Sequence, residues 1–322
     1  MKYTKDLILL DAAEVTESLS RQLRDTVGLK LRKRGAVIGV SGGIDSSVVL
    51  ALCAKTFGPE KVFAVMMPEK DSSPESKDLA ALLCDKFKVP YVLEDITDAV
   101  IGFGCYKRRD EAVKRVFPEY DPLKHKMKIV LKDDKEAKGK INIFYLIIIF
   151  PDGKEESFRL PLAEYLQIVA SSNFKQRSRM SMLYYYADAK NYAVIGTGNK
   201  NEHEQGFFVK YGDGGADVKP IAHLFKTQVY QLAKYLGVPD EICSRIPTTD
   251  TYSAEQTQEE FFFKVPFDIL DRIWYGWEKG FSTDEIAKSL GMLNQEVEVI
   301  INDVKQKIRT TEYLRLEAIS FE

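Results

Sequence analysis

Apolar positions along this chain change period repeatedly, and the changes mark its elements. Residues 11–34 carry apolar side chains at helical spacing, 36–40 (AVIGV) form a short continuous apolar run, and Ser46 to Phe57 return to helical spacing. The rhythm repeats. Lys61 to Met67 (KVFAVMM) predicts a second strand stopped by Pro68, 75–88 a helix, and Tyr91-Val92-Leu93 a third strand. Apolar runs without alternation suit a parallel sheet covered on both faces, so the first ~100 residues predict a doubly wound α/β unit. From Lys107 to Lys140 the chain turns charged and irregular. Ile141 to Phe150 (INIFYLIIIF), the turn residues Pro151-Asp152-Gly153-Lys154 and the alternating Glu156 to Leu160 then predict a β-hairpin. Leu162 to Ala189 reads as one long helix, Tyr192 to Ile195 as a strand, 199–219 as a glycine-rich loop, and 226–236 as a helix. No internal repeat interrupts this order. The pattern predicts a single domain over 1–322, with a charged, hairpin-bearing segment at about 105–160 and a helical C-terminal part at about 255–322.

Composition adds exclusions. With 46 Lys+Arg against 48 Asp+Glu the net charge is -2, so no basic surface argues for nucleic acid and no acidic tail for a solvating role. The N-terminal MKYTKDLILLDAAEVTESL lacks the pattern of a secretory signal, and the most apolar segment, Ile141 to Phe150, is about half the ~20 residues a membrane helix needs. A soluble, cytoplasmic protein is expected. Cys53, Cys84, Cys105 and Cys243 form no CxxC pair, which favours buried reduced thiols over a metal site or disulfide.

Candidate chemistry begins at Gly39-Val40-Ser41-Gly42-Gly43-Ile44-Asp45-Ser46-Ser47, where the first strand gives way to the first helix of the α/β unit. Backbone N–H groups at such a helix N-terminus lack internal partners and the helix dipole favours an anion there. Gly42 and Gly43 let the backbone come close to that anion, while Ser41, Ser46 and Ser47 offer hydroxyls. The stretch has neither the lysine of GxxxxGK[ST] nor the spacing of GxGxxG. Asp45 is informative: a carboxylate beside a phosphate is repulsive unless Mg²⁺ lies between them.

SGGxDSS at this junction resembles the pyrophosphate-binding loop of the N-type ATP pyrophosphatases, with their adenine nucleotide α-hydrolase-like fold. Asn173 to Met180 (NFKQRSRM), Ile195 to Glu202 (IGTGNKNE), Gly206 to Asp217 (GFFVKYGDGGAD), Lys219-Pro220-Ile221, Leu224 to Val229 (LFKTQV) and Ile246-Pro247-Thr248 follow in order. As a set they resemble ammonia-dependent NAD synthetase over roughly residues 10–100 and 170–250. The resemblance implies that nicotinic acid adenine dinucleotide and ATP give an adenylated carboxylate and pyrophosphate, and that ammonia then displaces AMP to give NAD.

It also implies roles, residue by residue. Gly39, Val40, Ser41, Gly42, Gly43, Ile44, Asp45 and Ser46 would form the ATP loop, with Asp45 and Glu202 as Mg²⁺ ligands. Thr197, Lys226 and Thr248 would contact the ATP phosphates, with Asp45, Lys226 and Thr248 serving the reaction itself. Arg177, Lys210 and Asp217 would bind the dinucleotide. His125, His203 and His223 are too scattered for a zinc site, and the latter two are expected beside the site rather than as bases. Against the family the segment at about 105–160 stands as an insertion, and Thr249 to Ser253, Phe261 to Phe267 and Leu314 depart from the family pattern, so a paralogue that adenylates and amidates a different carboxylic acid is the alternative. The ATP loop begins about forty residues from Met1, leaving no room ahead of it for a glutaminase domain, so ammonia, free or delivered by a partner, is the expected nitrogen source. A homodimer is implied as well. Ser282 to Val304 alone resembles a helix-turn-helix, but its second helix carries Glu296, Glu298 and Asp303, which opposes contact with DNA phosphates.

Overall fold

The computed structural model describes residues 2–132, 143–248 and 251–321. The expected strand start at Ile141 and Asn142, the insertion residues 133–142, and Thr249 and Asp250 of the departing segment lie outside the described residues. Helix α1 (Ala12–Arg24) is capped by Asp11, whose side chain accepts the Glu14 N–H at 2.9 Å. The predicted helix of 11–34 ends early, widening at 25–30 into a π-type turn in which the Leu31 N–H reaches Thr26 O. Then come β1 (Ala36–Gly39), α2 (Ile44–Phe57), β2 (Val62–Met66), α3 (Pro74–Phe87) and β3 (Tyr91–Leu93), matching the sequence pattern closely.

After β3 comes α4 (Thr97–Gly102). The stretch expected to be irregular from Lys107 instead holds most of α5 (Cys105–Val116) and β4 (Lys126–Lys132), before β5 (Ile143–Ile149) and β6 (Glu155–Arg159). Tyr106, Arg109, Ala112 and Val113 are buried at helical spacing, and Met127 and Ile129 are buried at period two, so each element has an apolar face beneath its charges. The expected hairpin is present as β5–β6, and β4 pairs antiparallel with β5 to make a three-stranded sheet. Next follow α6 (Leu162–Lys190), β7 (Ala193–Ile195), α7 (Lys200–Gln205), α8 (Lys226–Leu236) and α9 (Asp240–Cys243), then the C-terminal helices α10 (Phe267–Glu278), α11 (Thr283–Leu290) and α12 (Asn294–Thr310). Helix α7 falls inside the predicted glycine-rich loop.

The main sheet is parallel, in the order β3-β2-β1-β7. Its side chains alternate between two cores. Ala36, Ile38, Val62, Ala64, Ala193 and Ile195 pack with α1, α2 and α8, while Val37, Val65 and Val194 pack with α6 on the other face. This is the doubly wound architecture the apolar runs predict. The chain runs from β1 outward to β3 and returns to place β7 on the other side of β1. A crevice therefore opens between the carboxyl ends of β1 and β7, the usual ligand position in such a sheet. The small sheet forms its own core with α5, α6 and Tyr252, and Trp274 is buried in the C-terminal core beside Phe225 and Phe267. All four cysteines are free, three of them buried. Among the described residues no helix is long and apolar enough to cross a membrane.

Candidate active site

The crevice is a cleft of about 850 Å³, within the range of small-molecule sites. The loop after β1 forms its floor, and Gly39, Val40, Ser41, Gly43, Ile44, Asp45 and Ser46 all line it. Gly43 is the N-cap of α2, so the open N-terminus of that helix faces the cleft. The Gly43 N–H donates to Ser41 Oγ at 3.4 Å, and the Ser46 and Ser47 hydroxyls donate to Gly43 O at 3.0 and 2.8 Å. Gly42 does not line the cleft. Its φ is +74°, and a Cβ there would lie 2.5 Å from Ser76 O, so it is glycine because α3 packs against it.

Asp45 lies in the first turn of α2, and its carboxylate is held from two directions. Lys226 Nζ, at the start of α8, pairs with Oδ2, and Asn199 Nδ2 donates to Oδ1 at 2.9 Å. The Lys226 side chain is about 1% exposed. Burial opposes its charge, but Asp45 and Glu202 outweigh burial and hold the ammonium pKa above its usual value. Asn199 caps α7: its Oδ1 accepts the Glu202 N–H at 3.1 Å while Glu202 Oε2 accepts the Asn199 N–H at 3.2 Å. Gln258 Nε2 donates to Glu202 Oε1 at 3.3 Å. Burial first, and repulsion from Asp45 second, push the Glu202 carboxyl up to about 8.

Thr197 reaches the cleft from the end of β7, and Thr248 and Arg245 from the loop beyond α9. Arg177 and Lys210 line it as well, with Arg177 Nε donating to Lys210 O at 3.2 Å. Lys210 Nζ donates to the carbonyls of Tyr313 and Leu316 at 3.2 and 2.7 Å, so the C-terminal segment closes over that end. Asp217 is placed elsewhere: its carboxylate accepts the Tyr184 hydroxyl at 2.9 Å and the Val194 N–H at 2.8 Å, outside the cleft. His203 and His223 do not line it, and burial lowers the pKa of both.

Sequence reasoning passed over several participants. Asn199 carries the Asn-x-x-Glu signature of a capping box with Glu202, a readable signal. Asp213, within the GFFVKYGDGGAD stretch but given no role from sequence, lines the cleft. Lys175 also lines it and is buried, bonded to Glu69 at 2.9 Å and Asp71 at 2.8 Å, and Asp71 receives Arg109 at 2.5 Å. This ionic cluster ties the segment after β2 to α5 and α6, and nothing local in the sequence announces it.

A parallel sheet that presents a helix N-terminus, a buried lysine and carboxylates in one crevice offers an anionic ligand its usual place in such a fold. The family model for NAD synthase matches residues 15–117 and 141–316. The NH(3)-dependent NAD(+) synthetase of Rhizobium rhizogenes is 45% identical over 97% of this chain and 94% of its own. Two solved structures share the fold at 23% identity each. The NMN synthetase of Francisella tularensis has a TM-score of 0.66, covering 97% of this chain and 98% of that one. The NH3-dependent NAD synthetase of Campylobacter jejuni has a TM-score of 0.62, covering 97% and 100%. This chain belongs to the NAD synthase family. It is a ligase that forms a carbon–nitrogen bond.

Proposed function

We propose that the protein amidates nicotinic acid adenine dinucleotide with ammonia, consuming ATP and releasing NAD, AMP and pyrophosphate. The observation that carries this reading is the Asp45–Lys226 pair beside Glu202 at the mouth of the α2 helix, with Arg177 and Lys210 lining the same cleft. Relatives at 45% identity over nearly the whole chain support the dinucleotide as the acid and ammonia as the nitrogen source.

In this reading the substrate carboxylate attacks the α-phosphorus of ATP and pyrophosphate leaves. Ammonia then adds to the acyl carbon, AMP departs and the added nitrogen loses a proton. The N–H groups opening α2, with Ser41 and Ser46, hold phosphate oxygens. Lys226, fixed and little hydrated, offsets charge growing on the leaving pyrophosphate, and Thr197 and Thr248 donate hydrogen bonds to the same group. Arg177 and Lys210 hold the anionic dinucleotide, while Asp217, outside the cleft, ties the end of the loop to Tyr184 on α6 and Val194 on β7. No enzyme nucleophile is required, because the substrate supplies its own carboxylate.

The donor set fits Mg²⁺. Burial first and the nearness of Asp45 second raise the Glu202 pKa, a repulsion that a hard cation between the two would relieve, and both offer oxygen ligands. Among the described residues no group of three or more His, Cys, Asp or Glu could hold a metal, so phosphate oxygens and water would complete the shell. Bound there, Mg²⁺ would neutralise phosphate charge. A homodimer and a cytoplasmic location complete the reading. The test is an assay with ATP, Mg²⁺, an ammonium salt and either nicotinic acid adenine dinucleotide or nicotinic acid mononucleotide. NAD and AMP in equal amounts from the dinucleotide are expected. Faster turnover of the mononucleotide would overturn the substrate assignment and leave the ATP chemistry standing.

A further inference from the structure

Helix α8 starts at Lys226 after an N-cap, Phe225, that carries no side-chain acceptor. The first N–H groups of a helix have no partner within it, and buried ones must find partners elsewhere. Gln228 Oε1 accepts the Phe225 N–H at 3.0 Å. The next two N–H groups go to side chains from distant elements. Asn201 Oδ1, on α7, accepts the Lys226 N–H at 3.0 Å, and Asp271 Oδ2, on α10, accepts the Thr227 N–H at 2.8 Å. Asn201 Nδ2 donates to Asp271 Oδ1 at 2.6 Å, which joins the two caps, and both residues are fully buried.

We propose that the Asn201–Asp271 pair is a positioning device for the reaction, fixing where α8 begins and hence where Lys226 Nζ meets the phosphate oxygens. The proposal rests on the reading that Lys226 contacts the pyrophosphate of ATP. Lys226 is the first residue of its helix, so the bond made by its own N–H sets the root of its side chain. Asn201 also sits between Asn199, which holds Asp45, and Glu202. One short helix thus fixes three of the charged groups in the cleft relative to one another. Displacing a reacting group by about 1 Å can cost on the order of 10²-fold in rate, so an anchor of this kind has kinetic consequences without touching substrate.

The hydrogen-bond pattern supplies a test. Asn201→Asp alone sets two carboxylates against each other. Asp271→Asn alone leaves one donor facing another, whichever way either amide is turned. The double exchange Asn201→Asp with Asp271→Asn restores every donor to an acceptor and leaves the net charge unchanged: the new aspartate accepts the Lys226 N–H and the new amide, and that amide's oxygen accepts the Thr227 N–H.

Binding of pyrophosphate in the presence of Mg²⁺ is measured by titration calorimetry on the full chain, for wild type, the two single variants, the double exchange and Lys226→Met. Lys226→Met is expected to weaken binding at least about tenfold. Each single variant is expected to weaken it at least about fivefold with the number of sites per chain unchanged, and the double exchange to return within about twofold of wild type. A merely structural role would lower the number of competent sites at unchanged affinity, and that result overturns the proposal. So does a double exchange no better than the worse single variant, whether through weak binding or failure to fold. Wild-type binding by Lys226→Met would instead remove the phosphate role of Lys226 itself, a distinct failure that takes the proposal with it.

Discussion

Asp45 shows how much of this site turns on single atoms. One oxygen faces Lys226 and the other Asn199, so the carboxylate is fixed before any ligand arrives. Asp45→Asn keeps the size and removes the charge. It is expected to lower turnover by about 10²-fold or more, the order found when one electrostatic stabiliser is lost, with the circular dichroism spectrum unchanged. Glu202 gives a pH signature. Its folded pKa of about 8 lies above the ordinary carboxylate value of 4.5, so its contribution to stability is full below about 4.5 and is lost as pH rises through about 8. Ligand-free protein should therefore melt at lower temperature at pH 9 than at pH 6, and Glu202→Gln should flatten that slope. The loop residues were legible because their chemistry is local: a glycine-serine turn and an acid beside it. Asp217 and Lys210 show the limit of such reading. Their partners are Val194 N–H, Tyr184 and the carbonyls of Tyr313 and Leu316, up to 106 positions away, and backbone atoms leave no mark in a sequence.

Among the elements, the small antiparallel sheet was the least foreseen. Lysine-rich composition hid the period-two burial of Met127 and Ile129, and only the hairpin that follows was strong enough to read. Strand β4 then does something composition does not suggest, by holding the segment that follows Thr248. The Met127 N–H donates to Ser253 Oγ at 2.9 Å, the Ala254 N–H to Met127 O at 3.1 Å, and Gln256 Nε2 to Ile129 O at 3.0 Å. Gln256→Ala should cost about 1–3 kcal/mol in denaturant unfolding, since it strands a buried carbonyl, and should raise KM for ATP more than it changes kcat. Gly42→Ala is expected to be worse for folding than for chemistry. The added methyl meets the Ser76 carbonyl at a positive φ, a strain of about 1–3 kcal/mol, read as a drop in melting temperature.

For the whole molecule, the doubly wound sheet followed from runs of apolar residues, and the position of the cleft followed from strand order alone once β7 was seen beside β1. What the sequence could not show is how remote segments lock the cleft walls together. The buried cluster of Glu69, Asp71, Arg109 and Lys175 joins three parts of the chain through charges that look like surface residues when read singly. The chemistry assigned to the molecule, activation of a carboxylate by transfer of adenylate, makes one prediction that neither binding nor turnover can imitate. With ¹⁸O in the nicotinate carboxylate of the dinucleotide, and ATP, Mg²⁺ and ammonium present, mass spectrometry should find one labelled oxygen in each AMP formed and none in pyrophosphate. Unlabelled AMP, or ADP and phosphate in place of AMP and pyrophosphate, would contradict the account.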